Sequence, residues 1–317
     1  ILASTMVKIE PKIENLLNTF AYYYMKYKFE SILKSLTKGT GIPHVDSTVL
    51  DSLIFPIPPL EEQWGIAEVL SSVDQAIEAT EKLVEKLEKV RRNLMQELLT
   101  KGIGHKEFKE TEIGKIPREW KVVELGDVAK IDAKPMRPKP GEKYYYLGLE
   151  DIESETGRIL KNDDLLVDGS QIKSAKYEFT GEHVLYGRLR PYLNKVALPT
   201  RNGICSTDII PILPNKNVIL REFMAYLLRH PRFVQYATSR MKGTNHPRIS
   251  SKELLEYKIP LPPIEEQKRI VALLRPLDDW IGVEKKRKAK LERLKHGLME
   301  LLLTGRVRVR AEKVPSG

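Results

Sequence analysis

Cysteine occurs once, at Cys205, in 317 residues. A single thiol excludes an intrachain disulfide and a cysteine-rich metal framework, and fits a reducing compartment. Long apolar runs are also missing. No uncharged apolar stretch approaches the roughly 20 residues that cross a bilayer, so a soluble chain without membrane contact is expected. The opening residues ILASTMVKIE carry no signal peptide, which leaves the cytoplasm as the default. The common catalytic signatures are absent as well. There is no Gly-x-x-x-x-Gly-Lys-Ser/Thr phosphate cradle and no Gly-x-Gly-x-x-Gly after a strand. The six histidines are scattered, with no His-Glu-x-x-His pair and no zinc-ligand cluster. The Asn/Asp-Pro-Pro-Tyr/Phe tetrapeptide of aminomethyltransferases is missing too. No catalytic or metal-binding residue is assigned.

What is present is length, charge and repetition. The chain is long enough for two compact units, since domains commonly run to roughly 100–200 residues. Its hydrophobic fraction of 41% is ordinary for a globular protein, and its formal charge of +10 favours a polyanionic partner. Lysine and arginine neutralise phosphates and release their counterions on binding. A solvated basic surface would carry the same charge without any such partner.

The repeat is the strongest internal signal. IPPLEEQ at Ile57–Gln63 returns as LPPIEEQ at Leu261–Gln267, an offset of 204 residues when Pro59 is set on Pro263. The same offset sets KGTGIPHV (Lys38–Val45) on KGTNHPRI (Lys242–Ile249), and LMQELLT (Leu94–Thr100) on LMELLLT (Leu298–Thr304). Further upstream, FAYYYMKYKF from Phe20 resembles FMAYLLRHPRF from Phe223, and AST at Ala3–Thr5 resembles CST at Cys205–Thr207.

Each Pro-Pro pair precedes a long helical pattern. Pro59 and Pro263 suit a first helical turn, where the missing N–H costs nothing, and Glu61-Glu62 and Glu265-Glu266 put negative charge at the positive end of the helix dipole. In the first copy Ile66, Leu70, Val73, Ile77, Thr80, Val84, Leu87, Arg91, Leu94 and Leu98 alternate in steps of three and four, as a coiled-coil seam does. The second copy keeps the phase through Ile270, Leu274, Leu277, Ile281, Glu284, Lys288, Leu291, Lys295, Leu298 and Leu302. Pro276 is expected to kink or delay that helix, and Gly282 to weaken the following turn. Two helices of about 40 residues, each about 60 Å long, would leave apolar stripes in water unless covered. Each could pack on its own domain, but the 3.5-residue period favours mutual pairing.

Between the helices, Lys121–Ile131, Tyr144–Leu149, Leu165–Val167, His183–Tyr186 and Ile209–Leu213 read as short strands separated by turn residues. Arg221–Met241 reads as one or two helices. The expected class is α+β: mixed α/β domains joined by two long coiled-coil helices. The expected divisions are 1–56, the end of a first domain; 57–104, a first spacer helix; 105–261, a complete second domain; 262–305, a second spacer helix; and 306–317, a basic tail. The first copy is short of its early strands, which another stretch of sequence or a second chain in a homodimer would supply.

Two stretches suit nucleic acid. LYGRLRPYLNKVAL (Leu185–Leu198) sets Arg188, Arg190 and Lys195 beside Tyr186 and Tyr192, a mixture that fits phosphates and base edges. A surface hairpin with inward aromatics would look the same. MKGTNHPRIS (Met241–Ser250) offers the donors Lys242, Thr244, Asn245, His246 and Arg248. It could equally be a turn that only delivers the chain to its next element.

TEIGKIPREWKVVELGDVAKI from Thr111, GRLRPYLNKVA from Gly187, KGTNHPRISSKELLEYKIPLPPIEEQKRI from Lys242 and the helix end LMQELLTKGI resemble the specificity (S) subunit of type I restriction-modification enzymes. The resemblance implies target-recognition domains that each read half of a bipartite site in double-stranded DNA, held apart by two antiparallel conserved helices. It implies a non-catalytic chain that binds no cofactor itself. The S-adenosylmethionine would belong to partner methyltransferase (M) subunits, joined by a nuclease/translocase (R) subunit. On this resemblance Arg188, Arg190, Tyr192, Lys195, Lys242, Thr244, Asn245, His246 and Arg248 become DNA-contact candidates. Pro58, Pro59, Glu61, Glu62 and Gln63, with Pro262, Pro263, Glu265, Glu266 and Gln267, become hinge or partner-facing candidates. Two other readings stay open: a truncated regulatory or decoy subunit that occupies M subunits without reading a full site, and a DNA-modifying enzyme with an unrecognised site.

Overall fold

The computed structural model describes residues 14–36, 54–160 and 166–309. The repeat member at Lys38–Val45, the Ala3–Thr5 match and most of the basic tail lie outside the described residues. The chain divides into two units, Ile1–Lys86 with Ile281–Gly317, and Leu87–Trp280. Two long helices, α2 (Leu60–Lys101) and α7 (Ile264–Leu303), contribute to both.

In the first unit, helix α1 (Asn18–Leu36) carries Phe20, Tyr23 and Tyr24 into a small core with Ile66 and Leu70 of α2 and Met299, Leu302 and Leu303 of α7. The two long helices run antiparallel here: Asp74 pairs with Lys295, and one heptad further along α2 Glu81 pairs with Lys288, one heptad back along α7.

The second unit is a mixed α/β body. A four-stranded antiparallel sheet runs in the order Val196–Ala197, Val184–Gly187, Ile209–Pro214, Ala129–Ile131. A second sheet runs Pro135–Met136, Lys176–Phe179, Gly203–Cys205, Tyr146–Leu147, with the last pair parallel. Lys121–Glu124 pairs antiparallel with Lys258–Leu261, the strand that leads into α7. The helices of this unit are α3 (Leu125–Val128), α4 (Arg221–Arg229), α5 (Pro231–Arg240) and α6 (Ser251–Leu255). Its main core gathers Trp120, Phe223, Phe233, Ile210 and Ile212 around Met95, Leu98 and Leu99 of α2 and Ile270 and Leu274 of α7. A smaller core under the second sheet holds Tyr145, Leu147, Phe179 and Cys205. Cys205 is fully buried, and burial pushes its thiol up to about 12.

None of the seam residues from Ile66 to Leu98 or from Ile270 to Leu302 is exposed. The stripe meets both expectations: in each unit it faces the partner helix and also joins a core, with α1 in the first unit and with the α/β body in the second. Pro276 does not interrupt α7. Pro276 and Ala272, whose carbonyl the proline ring leaves without its usual donor, are both exposed, so water can satisfy that oxygen while Leu274 stays buried. The run Lys121–Ile131 is not one strand. The Asp127 carboxylate accepts from the Glu124 amide at 2.9 Å and caps the one-turn helix α3 between two strands. Arg221–Met241 resolves into α4 and α5, divided at His230, whose Nδ1 accepts from the Arg232 amide at 3.2 Å.

Candidate nucleic-acid interface

The two basic stretches, separated by 42 residues of sequence, meet on one face of the second unit. Leu189 bridges Arg248 in antiparallel fashion, and Lys242 bridges Arg248 from its other side. The Arg190 amide donates to the Pro247 carbonyl at 2.8 Å, and the Ile249 amide to the Arg188 carbonyl at 3.2 Å. Backbone pairing therefore fixes the turn containing Tyr192 next to the loop Gly243–His246.

The turn itself is an unusual conformer. Pro191–Leu193 form a single 3-10 turn flanked by Arg190 at φ 51° and Asn194 at φ 48°, both left-handed. L-residues rarely adopt that region, although asparagine tolerates it. Asn194 is buried, and its Nδ2 donates to Glu155 Oε2 at 2.9 Å and to the Arg229 carbonyl at 3.0 Å. The Glu155 amide returns a bond to the Asn194 carbonyl at 3.0 Å. With one end anchored in this way, the turn holds Arg190 and Tyr192 in solvent.

The candidates fall into distinct environments. Arg190, Tyr192, Lys242, Thr244, Asn245 and His246 are exposed. Arg188 is half-buried, with its Nε lacking a partner among the described residues. Arg248 is held by Asp208, Nε to Oδ1 at 2.6 Å, which aims its guanidinium and lowers its freedom. Lys242 pairs with Glu253 at 3.3 Å while its side chain stays 84% exposed. Lys195 turns inward and donates to the Leu149 carbonyl at 2.6 Å, so its ammonium supports the fold. Of the two tyrosines, Tyr186 packs inward against Phe233 and Tyr192 points out. Asp208 and Asn194 do not stand out in the sequence, because an aiming carboxylate and an anchoring amide carry no local pattern.

The hinge residues divide the same way. Glu61, Glu265, Pro59 and Pro263 are exposed, whereas Glu62, Gln63, Glu266 and Gln267 are buried. The prolines cap rather than enter the helices: each Pro carbonyl accepts from the Glu and Gln amides three and four residues on. Gln63 Nε2 donates to the Pro58 and Asn15 carbonyls, both at 2.8 Å, and its Oε1 accepts from the Leu17 amide at 2.8 Å. Gln267 repeats this in the second unit, donating to the Pro262 and Val218 carbonyls at 2.9 and 3.0 Å and accepting from the Leu220 amide at 2.9 Å. Glu266 accepts from the Ile103 amide at 3.0 Å, His105 at 2.7 Å and Trp120 Nε1 at 2.9 Å. Gly102, at φ 67°, ends α2 just there, and a Cβ on it would sit 2.7 Å from Trp120. In the first unit Glu62 takes Arg308 instead, at 2.6 and 3.0 Å, at the edge of a 790 Å³ cleft also lined by Tyr24, Ile57 and Leu303.

Among the described residues no group of His, Cys, Asp and Glu could hold a metal ion, and no helix is long and apolar enough to cross a membrane. The family model of the type I restriction modification DNA specificity domain matches residues 1–89 and 117–293. The chain belongs to this specificity family. It is 35% identical to the type I restriction enzyme MjaVIII specificity subunit of Methanocaldococcus jannaschii, over 98% of this chain and 75% of that protein. It is 34% identical to the putative MjaX specificity subunit of the same organism, over 96% and 69%. The type I S subunit of M. genitalium shares the specificity-family fold, with a TM-score of 0.57 at 20% identity over 91% of this chain and 73% of that one.

Proposed function

We propose that this chain is the DNA-reading, non-catalytic subunit of a type I restriction-modification complex. The observation that carries this reading is the pairing of Leu189 with Arg248, which merges two donor-rich loops into one exposed face on a member of the specificity family. On that face Arg190 and Asn245 are free to reach base edges, since arginine suits guanine and asparagine suits adenine in the major groove. Lys242, Arg188 and the Asp208-held Arg248 set phosphate register, with Thr244, His246 and Tyr192 at the rim. The bipartite site needs a second reading face, and the first unit has the matching hinge and helix arrangement on which one would stand.

The chain's role is to position. Methyltransferase subunits supply S-adenosylmethionine and the reaction, and a nuclease/translocase subunit joins them. The exposed hinge residues Pro59, Glu61, Pro263 and Glu265 are offered to those partners, while the buried Glu62, Gln63, Glu266 and Gln267 hold the helix starts. The reaction is cytoplasmic, where the DNA and the cofactor are.

The test is enrichment of duplexes from a randomised pool by the purified chain, alone and with its methyltransferase subunit, at fixed salt. A bipartite motif is expected with the partner present. Partner binding without any enriched sequence would favour a decoy subunit, and modification of DNA by the isolated chain would show an enzyme.

A further inference from the structure

The two ends of the repeat share a polar constellation that the seam pattern alone does not explain. In the first unit the Tyr23 hydroxyl donates to Asp74 Oδ2 at 2.9 Å, and Asp74 Oδ1 pairs with Lys295 of the opposite helix. In the second unit the Tyr226 hydroxyl donates to Asp278 Oδ2 at 2.7 Å, and Asp278 Oδ1 pairs with Arg91 at 3.2 Å. Tyr23 and Tyr226, Asp74 and Asp278, and Arg91 and Lys295 are counterparts in the repeat. Each seam cation thus meets an aspartate on the other helix, and a tyrosine of the globular part holds the same carboxylate.

In the second unit the constellation continues towards the interface. Arg91, 2% exposed, also donates from Nη1 to the Glu155 carbonyl at 3.2 Å. Arg229 lies 3.9 Å from Asp278 and donates from Nε and Nη2 to the Val196 carbonyl at 3.1 and 2.9 Å. Glu155 and the Arg229 carbonyl are the two groups that anchor Asn194, which ends the Arg190–Asn194 turn. Gly157, at φ 67°, makes room for this: a Cβ there would lie 1.6 Å from the Val196 oxygen and 2.5 Å from Arg229 Nη2. One carboxylate therefore faces two buried guanidiniums, one leading to Glu155 and the other to Val196, on either side of Asn194.

We infer that Asp278, on the spacer helix, is a positioning residue for DNA readout: through Arg91 and Arg229 it sets the Glu155–Asn194 anchor and so the direction in which Arg190 projects. This rests on the proposed role of Arg190 in reading DNA. Without the carboxylate, two buried cations lose their shared counter-charge and shift apart, and the carbonyls they hold are released with them. The first-unit constellation, built on Asp74, lacks any described branch to such a turn and serves as the internal control.

The experiment compares the full chain with Asp278→Asn and Asp74→Asn, each nearly isosteric. Two readouts are taken: hydrogen exchange at the Glu155 and Asn194 amides, and preference at the base pair that Arg190→Ala relaxes, using the enriched duplex against a scrambled one. In Asp278→Asn, exchange at those amides should rise about tenfold. Base-pair preference should fall about tenfold, while affinity for the scrambled duplex stays the same. Asp74→Asn should move neither. Unchanged exchange in Asp278→Asn, or equal changes in both variants, would overturn the inference. If the unmodified chain prefers no duplex, the DNA-reading proposal fails, and the exchange result alone decides whether Asp278 sets the anchor. Should Asp278→Asn fail to fold, Tyr226→Phe removes one bond to the same carboxylate and should give a smaller change in the same direction.

Discussion

His230 shows how burial, more than any charge, can give one residue a pH signature. It caps α5 through Nδ1, is 4% exposed, and has a buried Nε2 without a partner among the described residues. Burial, aided by the nearby Arg232 charge, holds its pKa down to about 4. The folded state therefore keeps the ring neutral where the unfolded chain, near pH 6.5, begins to bind a proton. Stability is full above that pH and declines as pH falls, until the folded protein also takes up the proton near 4. The loss reaches up to about 3 kcal/mol. In His230→Asn, which retains a capping acceptor but does not titrate, this part of the pH dependence should vanish. Urea unfolding of both proteins at pH 7, 5.5 and 4 measures the difference directly; parallel curves would show that His230 does not titrate across this range. Asp74 contributes outside this window. Burial works to raise its pKa, but the bonds from Lys295 and Tyr23 outweigh that and hold it below the usual value, so its share is lost only in stronger acid.

At the scale of elements, the helix starts turn on Gln63 and Gln267. Each bridges two carbonyls and an amide that no strand or helix satisfies. Gln267→Leu leaves these groups buried and unpaired, so it should cost about 3 kcal/mol or more. Thermal unfolding with limited proteolysis checks this: Gln267→Leu should expose cleavage sites within Leu87–Trp280, and Gln63→Leu within the other unit. The helices were legible from sequence because a periodic stripe recurs at ten positions in each copy and each start is marked by Pro-Pro-x-Glu-Glu-Gln. The role of Gln63 was not legible, since its partners Asn15 and Leu17 lie far upstream and show no pattern. The strands were legible only in part: Lys121–Ile131 has the composition of one strand, yet Asp127 bends it into a helical turn. The candidate site divides similarly. Its basic loops stand out locally, but their adjacency depends on the Leu189–Arg248 bridge, and Lys195 and Tyr186 face inward for reasons of packing.

For the whole molecule, the question is whether the +10 net charge or one defined face governs DNA binding. A defined face brings few cations. Arg188, Arg190, Lys242 and Arg248 stand on it, and Asp208 and Glu253 partly offset the last two. Each phosphate contact contributes about −0.9 to the slope of log K against log salt, so the contacts of Arg188, Lys242 and Arg248 give about −2.7, or an affinity loss of roughly 40-fold between 50 and 200 mM salt. Diffuse attraction by the whole basic surface would give a much steeper slope on any sequence. Titration of the enriched duplex over that salt range should return the shallow slope. Arg190→Ala should weaken binding to that duplex by about 1–3 kcal/mol and leave the slope nearly unchanged if Arg190 reads a base, or reduce it by about 1 if Arg190 holds a phosphate. A slope twice as steep, unaffected by Arg190→Ala and equal on scrambled DNA, would mean that charge and not this face brings the chain to DNA.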